Sequence, residues 1–486
     1  MPEPREDEQI SSHEPSTSRS ASASPARIFG RALVLTVVGG LVPGLGLIKA
    51  GRRKVGLTVL ALFALLVGAA VYAVIAERRT LLHWAVQPKA LRLAAIILPA
   101  LAVAWAVVIL ATYRSLRPST ARAWQRLVGV GAVLALIGVV AAPLSVASRY
   151  AMVQKDMVEH IFAKKESKSA TRPTKVTVED PWAGQDRVNV LLLGGDGGHD
   201  RIGIRPDSII TASIDTRTGD TVLFSLPRNL RKIPFPKDSV LADAYPNGIY
   251  AGPGDQLEWM LNSIYENVPD QHPDLLDSDN PGADATKLAV SGALGLRIDY
   301  YVLVNLKAFE QLIDAFGGIT VNVNYPVPKG GSEEEGLKPG GWIQPGPNQH
   351  LDGFDALWFA RGRWGLDDYQ RMLRQRCVIK AIIDQADPIK VLTRFEAIAK
   401  SSKDLVFTDI PQSMLPAFVD LSLKVKRAKV TSVAFTNKII SPWEPNYDEI
   451  HAMVQEGLRK SANASSSSSS ITDSLEDACA YRPRRP

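Results

Sequence analysis

Three short apolar runs carry charged side chains at their ends. The runs are residues 188–193, 208–214 and 221–226. Their β-branched content and their Gly, Asp or Pro boundaries predict three buried strands. Asp196 follows the first run, Arg205 and Asp207 precede the second, and Arg228 follows the third. Two acids and two arginines at neighbouring strand ends indicate a metal ion beside an anionic substrate.

A second group of charged residues lies between residues 361 and 376. Arg361 and Arg363 follow an apolar run, and in an extended segment both side chains would point to one side. A helix is predicted over residues 368–387. It contains Asp368, Arg371 and Gln375 on one face, with Arg374 beside them.

Each of these residues also has an ordinary structural interpretation. Asp is common in turns and at strand starts, and an Asp–Arg pair is typical of a solvated helix face. Five arginines between residues 361 and 376, next to an apolar run, nevertheless favour phosphate binding, because the guanidinium fork matches phosphate oxygens. The sequence has no Walker loop and no Gly-x-Ser-x-Gly motif. Cys377 and Cys479 predict no zinc or disulfide framework, and a single bridge stays an alternative.

The chain has 486 residues, and the elements that must position these charged residues lie in its second part, after residue 148. Residues 1–31 are predicted to be a disordered cytoplasmic tail, and residues 32–148 a membrane region. Its three strong spans are residues 55–76, 93–113 and 127–148. Residues 32–48 are shorter and rich in Gly and Pro, so they form either a re-entrant segment or a span. The basic clusters at 49–54 and 114–126 predict that both lie in the cytoplasm, although the loop at 77–92 is also basic.

The remainder is predicted to lie outside the cell. A juxtamembrane helix and linker cover residues 149–186, an α/β domain covers 187–458, and a disordered Ser-rich tail covers 459–486. Helices are predicted at residues 254–268, 283–296 and 306–316, the last ended by Gly317. A Pro/Gly/Glu-rich loop is predicted at 326–347, and two more helices are predicted after residue 387. Strands that alternate with helices predict an α/β/α sandwich with a central mixed sheet. The net charge of +6 is spread without a long basic run in the soluble part, so an anionic envelope partner is favoured over nucleic acid.

Several ordered motifs resemble the LytR-CpsA-Psr family over residues 187–458. They include Arg205-Pro-Asp207, Leu226-Pro-Arg228, the run from Asp299 to Asn305, the run from Asp314 to Val321, Leu351-Asp-Gly353, Arg361-x-Arg363, and the helix with Asp368, Arg371, Arg374 and Gln375. The chain departs from the family pattern at Asn229, where Asp is usual, at Arg376, where a second Gln is usual, and in having three or four membrane segments.

The resemblance implies a membrane-anchored enzyme that transfers a glycopolymer from a polyprenyl-pyrophosphate carrier to peptidoglycan. It implies that Asp196 and Asp207 bind Mg²⁺. The residues implied to bind pyrophosphate are Arg205, Arg228, Arg361, Arg363, Arg371, Arg374 and Gln375, and Asp368 matches an acid of the same helix. Arg228, Arg361, Arg363, Asp368 and Arg371 are the implied catalytic group.

Three other functions fit the same residues. A hydrolase of the same pyrophosphates would use water in place of the acceptor. A non-enzymatic transcription attenuator is disfavoured, because no helix-turn-helix is evident and the inferred topology removes the domain from DNA. A protein that binds the glycopolymer without turnover is the third alternative.

Overall fold

The computed structural model describes residues 25–119, 121–164, 166–177, 179–195, 204–333, 335–385, 406–462 and 473–482. The chain divides into two compact units. One comprises Met1–Tyr72 with Ile97–Val146, and the other comprises Ala73–Ile96 with Ala147–Pro486. Most of the predicted tail at 1–31 lies outside the described residues, but its last seven residues belong to a helix.

The described residues that precede the α/β domain contain six helices. They are α1 (Pro25–Leu41), α2 (Leu45–Lys49), α3 (Arg53–Ala76), α4 (Arg78–Ala85), α5 (Pro88–Leu116) and α6 (Ala123–Ile161). Helices α3, α5 and α6 are long and apolar enough to cross a membrane, in agreement with the three predicted spans. The predicted break in the first segment is present between α1 and α2. There Gly44 has φ +100°, and a Cβ on Gly39 would lie 2.7 Å from the backbone nitrogen of Gly46. Helix α6 joins the third predicted span and the predicted juxtamembrane helix without interruption.

The second unit contains a seven-stranded mixed sheet. Its strands, in chain order, are β1 (Arg187–Gly195), β2 (Pro206–Asp215), β3 (Thr221–Leu226), β6 (Tyr300–Asn305), β11 (Val406–Thr408), β12 (Val430–Ala434) and β13 (Asp473–Ser474). In space the order is β11-β6-β1-β2-β3-β12-β13. Strands β1, β2 and β3 are antiparallel neighbours, whereas β6 runs parallel to β1 and β12 runs parallel to β3. The predicted central mixed sheet is therefore confirmed.

The smaller strands form three two-stranded sheets. They are β4 (Ile233–Pro234) with β5 (Ile249–Tyr250), β7 (Ile319–Val323) with β10 (Gly346–Leu351), and β8 (Val327–Lys329) with β9 (Gly341–Ile343). The remaining helices of the described residues are α7 (Val240–Ala244), α8 (Ile264–Gln271), α9 (Pro281–Leu294), α10 (Leu306–Phe316), α11 (Gly353–Arg361), α12 (Asp368–Gln385), α13 (Leu415–Val425), α14 (Tyr447–Ala462) and α15 (Leu475–Ala478).

The sheet separates two layers of helices, because alternate side chains of each strand point to opposite faces. Leu191 and Leu193 of β1 are buried on one face with residues of α8, α9 and α14. Val190 on the other face packs with residues of α13. Helix α12 also covers this second face, where its Ile379 packs near Ala212 of β2. These layers form the α/β/α sandwich that the sequence predicts.

A buried ion cluster fixes the linker to the α/β domain. This lysine cluster comprises Asp284, Lys287 and Asp409, which are each at most 6% exposed. Lys287 Nζ lies 2.6 Å from Asp409 Oδ2 and 3.5 Å from Asp284 Oδ1. The backbone N–H of Ala170 in the linker donates to Asp284, and that of Tyr301 donates to Asp409. Every acid in the cluster therefore has several partners.

Three predictions about the domain are wrong in detail, and a fourth falls partly outside the described residues. The segment before Arg361 is helix α11 and not an extended strand end. Helix α8 begins at Ile264, whereas the sequence predicted a helix from residue 254. The Pro/Gly-rich stretch at 326–347, predicted to be a loop, contains β8 and β9. The helices predicted after residue 387 fall partly on residues 386–405, which lie outside the described residues.

The predicted disordered tail at 459–486 is also partly wrong. Helix α14 extends to Ala462, and after undescribed residues the chain adds β13 to the edge of the main sheet. Leu475 is fully buried, and Cys479 forms a disulfide with Cys377 of α12. The bridge that the sequence left as an alternative is therefore present, and it attaches the end of the described chain to the helix that carries Arg371.

Candidate active site

The first polar group lies where β2 begins beside the end of β1. The register of the two strands places Pro206 opposite Gly195, which brings Asp207 to the end of the sheet. Arg228 follows the neighbouring strand β3, and its Nη1 donates to Asp207 Oδ1 over 2.5 Å. The two strand ends thus bring together an acid and an arginine that are 21 residues apart.

Helix α12 brings a second arginine to the same acid. Arg371 is only 1% exposed, and its Nη2 donates to the backbone oxygen of Asp207 and lies 2.8 Å from Asp368 Oδ1. Its Nη1 is 3.9 Å from Asp207 Oδ1. Burial lowers the pKa of Arg371, while Asp368 and Asp207 oppose that effect. We call Asp207, Arg228, Asp368 and Arg371 the arginine site.

The arginine site has unused hydrogen-bonding capacity. The Nε of Arg371 is buried and has no hydrogen-bond partner among the described residues. A buried donor without a partner costs about 1–3 kcal/mol. An anionic oxygen bound next to Arg371 would satisfy it, which makes this atom the clearest indication of a ligand.

A cavity of about 140 Å³ adjoins Arg371. Its polar lining includes Asp207, Asn305, Arg361, Arg371 and Gln375. Gly194 and Gly195 line the same cavity, and their lack of side chains leaves space beside Asp207. Three of the residues predicted to bind pyrophosphate, namely Arg361, Arg371 and Gln375, therefore converge on one space.

An apolar cavity of about 500 Å³ continues from the first one, since both are lined by Ile379 and Ile382. Its other lining residues come mainly from the sheet face, from α13 and from α4. They include Val190, Leu192, Val302, Phe418, Leu82 and Val86. The two cavities together run along one face of the sheet under α12.

One face of α12 changes from charged to apolar along its length. Arg371 and Gln375 line the cavity of about 140 Å³, and Val378 and Ile382 continue the same helical row. With a rise of 1.5 Å per residue, the row from Arg371 to Ile382 is about 16 Å long. Such a row fits a ligand with an anionic head and a long apolar tail.

Two predicted ligand residues have other partners in the structure. Arg374 is 3% exposed, donates to the backbone oxygens of Phe359 and Gly362, and donates to the hydroxyl of Tyr325. It therefore holds the end of α11, and with it Arg361, in place. Arg205 is paired with Glu258 and Glu266, and it is not one of the residues that line the cavity.

The remaining predicted residues are Arg363 and Asp196. Arg363 is exposed, and its charge acts on Arg371 to lower the pKa of that guanidinium, so it lies near the arginine site. Asp196 lies outside the described residues. Its prediction as a metal ligand stays a prediction.

Sequence reasoning did not assign Asn305 or the apolar wall to the site. Asn305 ends β6, and its side chain also accepts a hydrogen bond from Ala308 at the start of α10. The sequence did contain a pattern that indicates this apolar wall, because Val378 and Ile382 follow Arg371 at helical spacing. The sequence did not indicate which face of the sheet α12 covers.

The carboxylate of Asp207 is the kind of ligand that Mg²⁺ binds, since this ion prefers oxygen and often uses one or two carboxylates together with waters and substrate phosphates. Asp207 is partly exposed and borders the cavity of about 140 Å³. The described residues contain no cluster of three or more His, Cys, Asp or Glu side chains suited to a metal. Waters and phosphate oxygens would complete the coordination of a bound Mg²⁺.

Comparison with known proteins decides the family. The model described as LytR_cpsA_psr family matches residues 151–466, about two thirds of the chain. The chain belongs to this family. The resemblance read from the motifs is thus confirmed.

Two curated relatives in the family are both named polyisoprenyl-teichoic acid–peptidoglycan teichoic acid transferase TagU. The protein from Oceanobacillus iheyensis is 30% identical over 234 residues, which cover 48% of this chain and 61% of the relative. The protein from Bacillus cereus ATCC 14579 is 25% identical over 272 residues, which cover 55% and 74%. The chain thus spans about three fifths of the length of the first relative. A solved structure, the LytR-Csp2A-Psr enzyme from Actinomyces oris, is 20% identical with a TM-score of 0.40, over 61% of this chain and 96% of the other.

Proposed function

We propose that the protein is a Mg²⁺-dependent phosphotransferase that moves a glycopolymer from a polyprenyl-pyrophosphate carrier to peptidoglycan outside the cell. The row on α12 carries the proposal, because Arg371 with its unpartnered Nε begins a line of residues that ends in an apolar cavity. A polyprenyl pyrophosphate has the matching order of groups, with an anionic head and an apolar tail. The names of the relatives support the glycopolymer and the acceptor.

The arginines would stabilise the charge that develops in the transfer. The acceptor hydroxyl oxygen attacks the sugar-linked phosphorus, the bond from that phosphorus to the bridging oxygen breaks, and the lipid monophosphate leaves with the electron pair. Arg361, Arg371 and Gln375 line the cavity in which the phosphates would lie, so their N–H groups can donate to the leaving phosphate.

Two acids have distinct places in this proposal. Asp207 holds Arg228 and Arg371 in position through its side chain and backbone oxygen. A bound Mg²⁺, held by Asp196, Asp207 and phosphate oxygens, would add positive charge next to the leaving group. The hydroxyl proton passes to a base, for which Asp207 and Asp368 are the candidates.

The position of α4 supports an extracytoplasmic α/β domain. Arg79 of α4 donates to Asp420 of α13, so α4 and the domain lie on one side of any membrane. The chain between them contains two candidate spans, α5 and α6, and two crossings return to the same side. The loop between those spans is then on the opposite side. Four arginines in and beside this loop, within residues 114–126, favour the cytoplasm.

Transfer can be tested with the purified full chain in detergent. The substrates are a polyprenyl-pyrophosphate-linked glycan with a radiolabelled sugar and soluble peptidoglycan fragments. We expect the label to move to the fragments when Mg²⁺ is present. Release of labelled glycan phosphate at the same rate without fragments would identify a hydrolase, and an unchanged carrier would contradict the proposal.

Topology is tested separately with a reporter that is active only outside the cytoplasm. A fusion after Pro486 should give a signal, and an insertion after Pro118, between α5 and α6, should give none. The reverse pattern would contradict both the topology and the function in the cell wall.

A further inference from the structure

A short helix between two candidate membrane spans contributes to the apolar cavity. Helix α4 connects α3 to α5, and its residue Leu82, together with Val86 just after it, lines the cavity opposite the sheet. These two residues are spaced i, i+4, so they share one side of the helix. Part of the wall of a cavity in the α/β domain is therefore supplied by a connection between spans.

A second side of α4 is fixed to the α/β domain by charge. The Nε and Nη2 of Arg79 donate to the two carboxylate oxygens of Asp420, each over 2.6 Å. The Nε2 of His83, one helical turn later, lies 2.9 Å from Asp420 Oδ1. The side chain of Asp420 is only 18% exposed, so two cationic or polar groups of α4 converge on one partly buried acid of α13.

The C-terminal end of α4 has a further anchor. Gln154 of α6 donates through its side-chain amide to the backbone oxygen of Ala85. The helix is thus held by α13 on one side and by α6 at its end. Trp84 of the same helix is 55% exposed, and exposed Trp side chains are common at the interface between a membrane and water.

We propose that α4 is the membrane-side rim of the cavity and that the apolar tail of the carrier passes between α4 and α13 to the bilayer. This inference rests on the proposed function, because it takes the same carrier as its ligand. Asp420 and Arg79 are positioning residues that hold the rim in place. We expect a polyprenyl chain to occupy this passage, because the passage continues from the cavity that would hold the pyrophosphate head.

The rim should matter only for a carrier long enough to reach it. We would compare two carriers with the same pyrophosphate-linked glycan, one with a full-length polyprenyl tail and one with two isoprene units. Asp420→Arg opposes Arg79 with a like charge, so we expect KM for the long carrier to rise about tenfold and KM for the short carrier to change less than about twofold.

The charge-swapped double variant, Arg79→Asp with Asp420→Arg, should return KM for the long carrier to within about threefold of the parent protein. A matched control is Arg459→Asp on α14, which removes a similar bidentate pair with Glu456 on the surface. It should affect neither carrier. Equal losses with both carriers, or no loss with either, would overturn the proposed rim.

Cross-linking gives an independent readout in membranes. A benzophenone side chain at position 82 should form an adduct with the labelled long carrier, and so should one at position 382. One at Leu257, which is exposed and lines neither cavity, should form none. An adduct at 382 without one at 82 would overturn the rim and leave the proposed function intact. If the parent protein consumes neither carrier and forms no adduct, the proposed function itself fails.

Discussion

Two groups of opposite charges in the α/β domain each surround a buried cation, and they differ in how completely their hydrogen bonds are satisfied. In the lysine cluster, linker and backbone N–H groups surround both acids, and burial raises the pKa of Asp409 while Lys287 opposes that effect. In the arginine site, Arg371 is buried to a similar degree, yet its Nε has no partner among the described residues.

This difference shows that buried charge alone does not identify a functional site. No buried polar side-chain atom of the lysine cluster lacks a hydrogen-bond partner among the described residues, although Asp284 and Asp409 also line a cavity of about 520 Å³. The hydrogen bonds and ion pairs of the cluster connect the linker, α9 and the residue after β11. The arginine site is open on one side, where a ligand can complete its hydrogen bonds. The two groups should therefore respond differently to the loss of one cation.

The largest effect should come from Lys287→Met. It leaves Asp284 and Asp409 buried without their cation, so we expect the free energy of unfolding to fall by about 3–5 kcal/mol. Urea or heat denaturation of the detergent-solubilised protein measures this. Lys307→Met, which breaks an exposed pair with Glu310, should cost no more than about 1 kcal/mol. Equal losses in the free energy of unfolding for the two variants would show that the lysine cluster has no special role in stability.

Arg371→Ala should instead reduce transfer more than stability. A charge-assisted hydrogen bond contributes about 1.5–3 kcal/mol, so transfer should fall about tenfold to a hundredfold. Arg361→Ala and Arg363→Ala should fall in the same range. Arg371→Lys should restore little, because lysine keeps the charge and loses the fork. The exposed Arg217→Ala is the control, and if the three other alanine variants match it, these arginines do not bind the substrate.

Asp207→Asn tests whether the open site holds a metal. The change keeps the shape of the side chain and removes a negative ligand, so the Mg²⁺ concentration for half-maximal transfer should rise at least about tenfold. Direct titration with Mn²⁺, followed by electron paramagnetic resonance, should show the same weakening without any turnover. Unchanged Mn²⁺ binding, together with full activity in a chelator, would exclude a metal at Asp207.

The smallest effect concerns pH and the partly exposed pair between α4 and α13. Burial raises the pKa of Asp420, but hydrogen bonds from Arg79 and His83 outweigh it, so the pKa lies below its ordinary value. The stabilisation from this acid is therefore complete above the ordinary pKa of Asp and is lost as the pH falls through the lowered value. Hydrogen exchange of α4 should stay slow from pH 7 to about pH 5 and quicken below about pH 4. Exchange that does not quicken down to about pH 3 would show that Asp420 does not hold α4 in place.

The sequence predicted the elements whose patterns are local. Strands β1, β2 and β3 begin and end within two residues of the three apolar runs, because β-branched side chains and turn residues mark them directly. Helix α10 has the predicted bounds, Leu306–Phe316, because Gly317 at φ +87° ends it. Arg361, Arg371 and Gln375, which the sequence grouped as phosphate ligands, line one cavity, while their role in binding stays a prediction.

Predictions that depended on distant contacts were less accurate. The apolar run before Arg361 has no clear period, so a short buried helix and a strand look alike in the sequence. Arg374 differs from Arg371 only in the side of α12 that it occupies, and only the packed structure shows that backbone oxygens take its donors. The disulfide of Cys479 could not be assigned from the sequence, because this residue follows a Ser-rich stretch and its partner lies 102 residues away.

The order of the strands in the sheet has a consequence for how the chain folds during its synthesis. The three central strands, β1, β2 and β3, are consecutive, whereas β6 and β12 join them later and the edge strands β11 and β13 come after residue 405. The sheet can therefore grow outward from its centre as the chain emerges. Until β6 and β12 arrive, both sides of the central meander expose unpaired N–H and C=O groups, which are prone to aggregate. The nascent domain is thus most in need of a chaperone between the appearance of Leu226 and that of Ala434.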